Sequence, residues 1–147
     1  MIQVRLASSP ADVALCLRLR WTVFVEEQGV PPSLELDARD RADAVHALAL
    51  LDGVPCGAGR FVFVEPGTAK IERMAVIDDV RGRGVGRALL QHLETEARQR
   101  GAQKFTLAAQ THARRFYEKA GYAARSPEFD DGTGIAHVSM DKPASGH

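Results

Sequence analysis

The chain has two cysteines, one tryptophan and an aromatic share of only 6% in 147 residues. Cys16 and Cys56 stand apart, with no Cys-x-x-Cys and no histidine at ligand spacing. Neither a disulfide framework nor a metal site is expected, and both read as small buried hydrophobes. No run reaches the roughly eighteen apolar residues of a membrane helix, and MIQVRLASSP lacks a basic region followed by an apolar one. The expectation is a cytoplasmic protein with no membrane partner. An excess of one charge is also missing, since nineteen basic and nineteen acidic side chains cancel. Nucleic acid and anionic membranes reward a surplus of Lys and Arg, so no nucleic-acid partner is expected.

What is present is ordinary for a globular fold: 45% apolar and 26% charged residues. At this length roughly two-thirds of the unfolded surface is buried, which suffices for a core without staples. One domain over residues 1–142 is expected, followed by a frayed tail at 143–147.

Ile2 to Leu6 alternates apolar and polar residues and reads as a strand. Ser9, Pro10 and Asp12 then predict a helix start of capping-box type, with Asp in place of Glu. Val13, Cys16, Leu17, Val23 and Phe24 recur at roughly helical spacing up to Gly29 and Pro31-Pro32. An acidic loop follows, holding Glu26, Glu27, Glu35, Asp37, Asp40 and Asp43 against Arg39 and Arg41. From His46 the texture changes to strands punctuated by Asp52-Gly53 and Glu65-Pro66-Gly67, which supply hairpin turns. Val85, Ala88, Leu89, His92, Leu93 and Ala97 mark one face of a helix stopped by Gly101. KFTLAA is a short buried strand, His112 to Lys119 a helix, and Tyr122 to Arg125 and His137 to Met140 the closing strands. Hairpins followed by strand–helix–strand predict an α/β fold, a mixed sheet with helices on its faces.

Arg81-Gly82-Arg83-Gly84-Val85-Gly86-Arg87 lies between a predicted strand and a predicted helix. Unpaired N–H groups at a helix start, glycines that admit a close ligand and three arginines together suit a phosphate. A Walker A loop would need Gly-Lys-Ser/Thr, which the chain lacks. A dinucleotide fingerprint would need glycine where Arg87 stands, and an acidic strand end where Arg100 to Lys104 stand. RG tracts that bind RNA sit in disordered segments, whereas this one opens an amphipathic helix.

Arg81-x-x-Gly84-x-Gly86 resembles the Arg/Gln-x-x-Gly-x-Gly/Ala signature of the GNAT N-acetyltransferases, which binds the pyrophosphate of coenzyme A. Gln110-Thr111-His112-Ala113-Arg114-Arg115-Phe116-Tyr117-Glu118-Lys119-Ala120-Gly121-Tyr122 is similar to the family's Asn-x-x-Ala-x-x-Leu-Tyr-Glu-Lys-x-Gly-Phe segment, with Gln for Asn. Arg20-Trp21-Thr22-Val23-Phe24, Glu27-Gln28-Gly29-Val30-Pro31, Glu35-x-Asp37, Asp40 and His46 resemble the ElaA/YjcF-like branch, as does Gly134-Ile135-Ala136-His137-Val138-x-Met140. The resemblance covers about residues 2 to 142.

It implies a mixed, mostly antiparallel sheet of six to seven strands, splayed at strands 4 and 5, with helices on both faces. It implies acetyl-CoA as cosubstrate, a small-molecule primary amine as acceptor and direct attack in a ternary complex; a homodimer is common in the family. A coenzyme A binding or sensing module without turnover is the alternative. By position, Met74, Ala75 and Val76 offer backbone groups to the pantetheine arm and thioester oxygen, and Gln110 belongs to the same wall. Arg81, Gly82, Arg83, Gly84, Val85, Gly86 and Arg87 form the pyrophosphate loop. Tyr117 stands where many members carry the acid for the departing sulfur, a phenol of pKa about 10 facing a thiolate. Glu72 occupies the general-base position of one branch. His46, His112, His137 and a water chain are its rivals. Glu27, Gln28 and His112 are the candidates for the acceptor side, where the acidic loop would hold a cation, and Arg20 and Asp37 are expected to form structural contacts there.

Overall fold

The computed structural model describes residues 1–32 and 43–144. Strand β1 (Ile2–Leu6) leads into helix α1 (Pro10–Arg20). The Ser9 hydroxyl accepts the Asp12 N–H at 3.1 Å, and Pro10 fills the first turn, where a missing N–H costs nothing. The capping box is only half made. The Asp12 carboxylate is taken by Arg5, whose Nε and Nη2 lie at 3.0 and 3.1 Å.

Beyond Arg20 the helix widens into a π-helical segment, Trp21–Glu27, that the apolar spacing did not predict. The Gln28 N–H donates to the Val23 carbonyl five residues back at 3.1 Å, and Gly29 ends the run at φ 73°. A π turn shifts the facing of every later residue, and such turns concentrate at functional sites.

Strands β2 (Val45–Leu51), β3 (Val54–Glu65) and β4 (Thr68–Val76) form a meander. Asp52 and Gly53 both take positive φ, as a two-residue hairpin turn requires. Helix α2 (Val85–Gln99) crosses to β5 (Lys104–Gln110), and a 3₁₀ turn at Thr111–Ala113 precedes helix α3 (Arg114–Lys119). The helix expected from His112 thus starts as 3₁₀. Two-residue strands β6 (Ala123–Ala124) and β7 (Phe129–Asp130) and the long β8 (Ala136–Pro143) complete the chain.

The sheet runs β1-β2-β3-β4-β5-β8-β6, with β7 also on β8. Every pair is antiparallel except β4 with β5. This is the expected mixed α/β architecture, with eight strands instead of six or seven because β7 was not foreseen. Side chains alternate along β2: Leu48 and Leu50 pack with Cys16 and Leu19 under α1, while Ala47 and Ala49 join Leu89, Leu90 and Leu93 of α2 on the other face. Helices therefore cover both faces, and both cysteines are buried as free thiols.

The strand pair that departs from the ladder positions the site. β4 pairs with β5 only at Thr68–Lys70 against Lys104–Thr106. Just beyond, the β3 register slips between Ala58 and Arg60, opposite Ala75 and Glu72, and Arg73 sits at φ 57°. One extra residue in β4 makes a bulge, which bends the strand and increases its twist. The two strands part beyond Lys70 and Thr106. The frayed tail also needs correction at its start. Pro143 belongs to β8, and Ala144 is buried with its N–H on the Gln103 carbonyl at 2.9 Å. Residues 145–147 lie outside the described residues.

Candidate active site

A cleft of about 430 Å³ occupies the gap between β4 and β5. One wall is the π segment, with Val23 and Glu27, and the Gln28 that follows it; Glu72, Arg73 and Met74 form the second. Gln110, Tyr117 and His137 stand on the third. Val76 also faces the cleft, whereas the Ala75 side chain is buried in the sheet.

At one end of the cleft lies the glycine loop. Gly82 and Gly84 take φ of 83° and 88°, which L side chains rarely adopt. Gly84 is the N-cap of α2, with no side-chain cap and no acidic residue in the first turn. The first backbone N–H groups of α2 have no intrahelical acceptor, so they and the dipole present an anion site. A Cβ on Gly86 would meet the Phe116 ring at 3.4 Å and Val76 at 3.7 Å, ordinary contact, so the position takes a small residue. These features suit a pyrophosphate. Arg83 and Arg87 are exposed beside it.

Arg81 is engaged elsewhere. Its Nη1 and Nη2 reach the two Glu27 carboxylate oxygens at 2.5 and 2.6 Å, and its Nε donates to the Val76 carbonyl at 2.9 Å. Asp78 adds a contact at 3.3 Å. The hydrogen bonds from Arg81 hold the Glu27 carboxyl below its ordinary range and raise the guanidinium in turn. Two charges that the sequence assigned to opposite ends of the cleft therefore neutralise each other.

Glu72 is similarly flanked. Oε1 accepts from Arg60 Nε and Nη2 at 3.2 and 3.0 Å, and Oε2 lies 3.4 Å from Lys70 Nζ. Gln110 and Gln28 exchange two amide hydrogen bonds at 2.8 and 3.0 Å, and His112 Nε2 stands 2.6 Å from Gln110 Oε1. Residues given separately to cofactor and acceptor thus form one chain across the cleft. Tyr117 is buried edge-on against Phe116 and Tyr122, and burial pushes its phenol up, so the hydroxyl keeps its proton. His46 is buried on β2, away from the cleft walls, and Arg20 is buried in α1. Glu35, Asp37 and Asp40 lie outside the described residues. His137 lies in the cleft together with Asp131, a residue whose place in a turn of Asp, Gly and Thr gave no sign of it. Among the described residues, no group of three or more His, Cys, Asp or Glu is placed to hold a metal ion.

The pattern of the Acetyltransferase (GNAT) family matches residues 14–122. The chain belongs to the GNAT acetyltransferase family. The uncharacterized N-acetyltransferase YjcF of Bacillus subtilis is 40% identical over 125 residues, 84% of this chain and 87% of that protein. The crystal structure of Escherichia coli ElaA superposes with a TM-score of 0.83 at 26% identity, covering 97% and 99% of the two chains. These relatives place the GNAT chain in the ElaA/YjcF-like branch. An aminoglycoside 6′-N-acetyltransferase in complex with coenzyme A shares the fold, with a TM-score of 0.77 at 16% identity over 100% and 98% of the chains. As a GNAT protein it is an acetyl-CoA-dependent N-acetyltransferase. Among the described residues, no helix is long and apolar enough to cross a membrane.

Proposed function

We propose that this GNAT enzyme moves an acetyl group from acetyl-CoA to the primary amine of a small molecule by direct attack in a ternary complex. The observation that carries this is the parted β4–β5 pair, whose gap opens at one end on the uncapped start of α2 and at the other on the π segment. A diphosphate ester seated on the loop would send its pantetheine arm along Met74 and Val76. The acceptor would enter past Gln28 and His112. Tyr117 would protonate the leaving sulfur, its buried hydroxyl being a proton donor at neutral pH. Arg83 and Arg87 supply charge to the phosphates, while Arg81 and Glu27 brace the loop against the π segment. Glu72, between two cations, serves the shape and polarity of the β4 wall.

One experiment with two arms tests the reading. Acetyl-CoA at one hundred times its Kd should stabilise the fold by about 2.7 kcal/mol, seen as a raised melting temperature. Thiol release should then be followed against polyamines, amino sugars and lysine peptides. Turnover with an amine, slowed on the order of 100-fold in Tyr117→Phe with an unchanged melting shift, supports the assignment. Binding without thiol release from any amine would leave a coenzyme A sensing module. Absence of a shift at millimolar acetyl-CoA would overturn the cosubstrate site.

A further inference from the structure

The proposed acetyl transfer needs a group to take a proton from the acceptor, and the described carboxylates on the walls of β4 and the π segment are already paired. We propose that His137 is that base: its Nε2, beside Asp131, receives the proton of the acceptor's ammonium. The inference rests on the amine-acceptor reading above.

His137 is the second residue of β8, in register with Gln110 of β5 and Phe129 of β7. Its side chain is 8% exposed and lines the cleft. Nδ1 lies 2.7 Å from the Ile135 carbonyl oxygen. A carbonyl only accepts, so Nδ1 carries the hydrogen and the neutral ring keeps its lone pair on Nε2. That nitrogen stands 3.4 Å from Asp131 Oδ2. Asp131 is fixed in turn, its Oδ1 accepting the Thr133 hydroxyl at 2.6 Å and the Thr133 N–H at 3.2 Å. The Phe129 ring, stacked at 6.1 Å and 30°, limits rotation of the imidazole.

Two acceptors side by side, a lone pair and a carboxylate, are complementary to one kind of guest: a cation with several N–H groups. A primary ammonium is such a guest. Once the proton has moved, the imidazolium finds an acceptor at each nitrogen, the Ile135 carbonyl at Nδ1 and Asp131 at Nε2. Proton transfer thus leaves no buried donor unpaired.

The other groups around His137 do not compete. Asp130 spends Oδ1 on the N–H groups of Gly132 and Gly134, at 2.8 and 3.0 Å. Gln110 is uncharged and bound to Gln28. His112 Nε2 is turned to an amide oxygen, and Tyr117 across the cleft is kept protonated by burial.

The ammonium gives one proton to Nε2, and the freed nitrogen pair forms the C–N bond to the thioester carbonyl while the C=O π pair moves onto oxygen. That pair returns as the C–S bond breaks, and sulfur leaves with its electrons and takes the Tyr117 proton. The surplus proton on nitrogen restores Tyr117, and His137 releases its own to solvent. The products are the amide, the free thiol and one proton.

The test compares wild type with His137→Gln in the thiol-release assay. Expected is a loss of about 100-fold or more in kcat/KM for the amine, with the acetyl-CoA melting shift retained. A working wild type beside a His137→Gln protein within threefold of it overturns the base. A wild type that releases no thiol with any amine sinks the acceptor reading, and the base falls with it. A check on the wild type guards against a misfolded variant: nitrogen-15 spectra of the neutral ring should show the hydrogen on Nδ1. A hydrogen on Nε2 would contradict the proposal.

Discussion

Arg81 and Cys16 show how far a residue's surroundings can depart from its neighbours in sequence. The motif around Arg81 points to phosphate, yet its guanidinium is held by Glu27, fifty-four positions away. That pair is more than a third exposed, so its contribution to stability is small even with bidentate geometry. Its role is to fix the π segment against the end of β4. Cys16 is the opposite case, legible in advance as a small hydrophobe and fully buried, with Sγ 3.5 Å from the Ala47 carbonyl. Burial pushes its thiol from an ordinary value of 9.0 up to about 12. The sign follows from linkage: the unfolded chain loses this proton first, so stability is whole below pH 9 and drains as pH rises toward 12. Between pH 8 and 10 the wild type should lose about 1.4 kcal/mol more than Cys16→Ala, compared by urea denaturation at both values. Equal losses in the two proteins would mean that the thiol ionises in the fold.

At the scale of elements, α2 and β8 are tied by Glu94, which is 3% exposed. Its carboxylate accepts from the Tyr122 hydroxyl at 2.7 Å and from Lys142 Nζ at 3.1 and 3.2 Å. Arg98, one turn on, lies over the Phe105 ring and donates to the Ala144 carbonyl at 2.8 Å. Burial, and then the Glu94 charge, push the Tyr122 phenol up, so it remains a donor. The tie couples the helix that presents the glycine loop to the strand that carries His137. Tyr122→Phe removes one donor from a buried carboxylate and should cost about 1–3 kcal/mol, a melting temperature lower by several degrees. The acetyl-CoA shift should survive, because nothing at the loop is touched; a variant as stable as wild type would show that Lys142 alone satisfies Glu94. Of these elements, α2 was plain in the sequence from its apolar spacing, and β8 was expected over His137 to Met140. The tie was not, because Tyr122, Glu94 and Lys142 meet only through tertiary packing. The π segment was likewise invisible, since apolar spacing does not separate a π turn from an α turn over seven residues, and two-residue β7 carries no periodicity at all.

For the whole molecule, equal numbers of acidic and basic residues conceal pairs made between elements: Arg60 with Glu72, Arg81 with Glu27, Lys142 with Glu94. Turn residues and alternation were enough to foresee the meander, the crossover and helices on both faces. The parting of β4 and β5 was foreseen only through the family resemblance, for Ile71-Glu72-Arg73-Met74-Ala75-Val76 reads as an unbroken strand. Arg73 at positive φ is a cost no propensity would assign there, and the bulge it makes against β3 lies just past the last β4–β5 pair. Among the described residues β5 pairs with β4 no further than Lys70, so an extended ligand lying along residues 71–76 would add to the sheet there as a strand does. Hydrogen exchange separates this from binding at the surface. With saturating acetyl-CoA, amides of residues 71–76 and of the loop at 82–86 should slow at least tenfold. Those of Thr68–Lys70, already paired with β5, should change no more than the global stabilisation requires. Equal slowing at every amide would mean that the cosubstrate stabilises the fold without entering the gap, and the route past Met74 and Val76 would have to be abandoned.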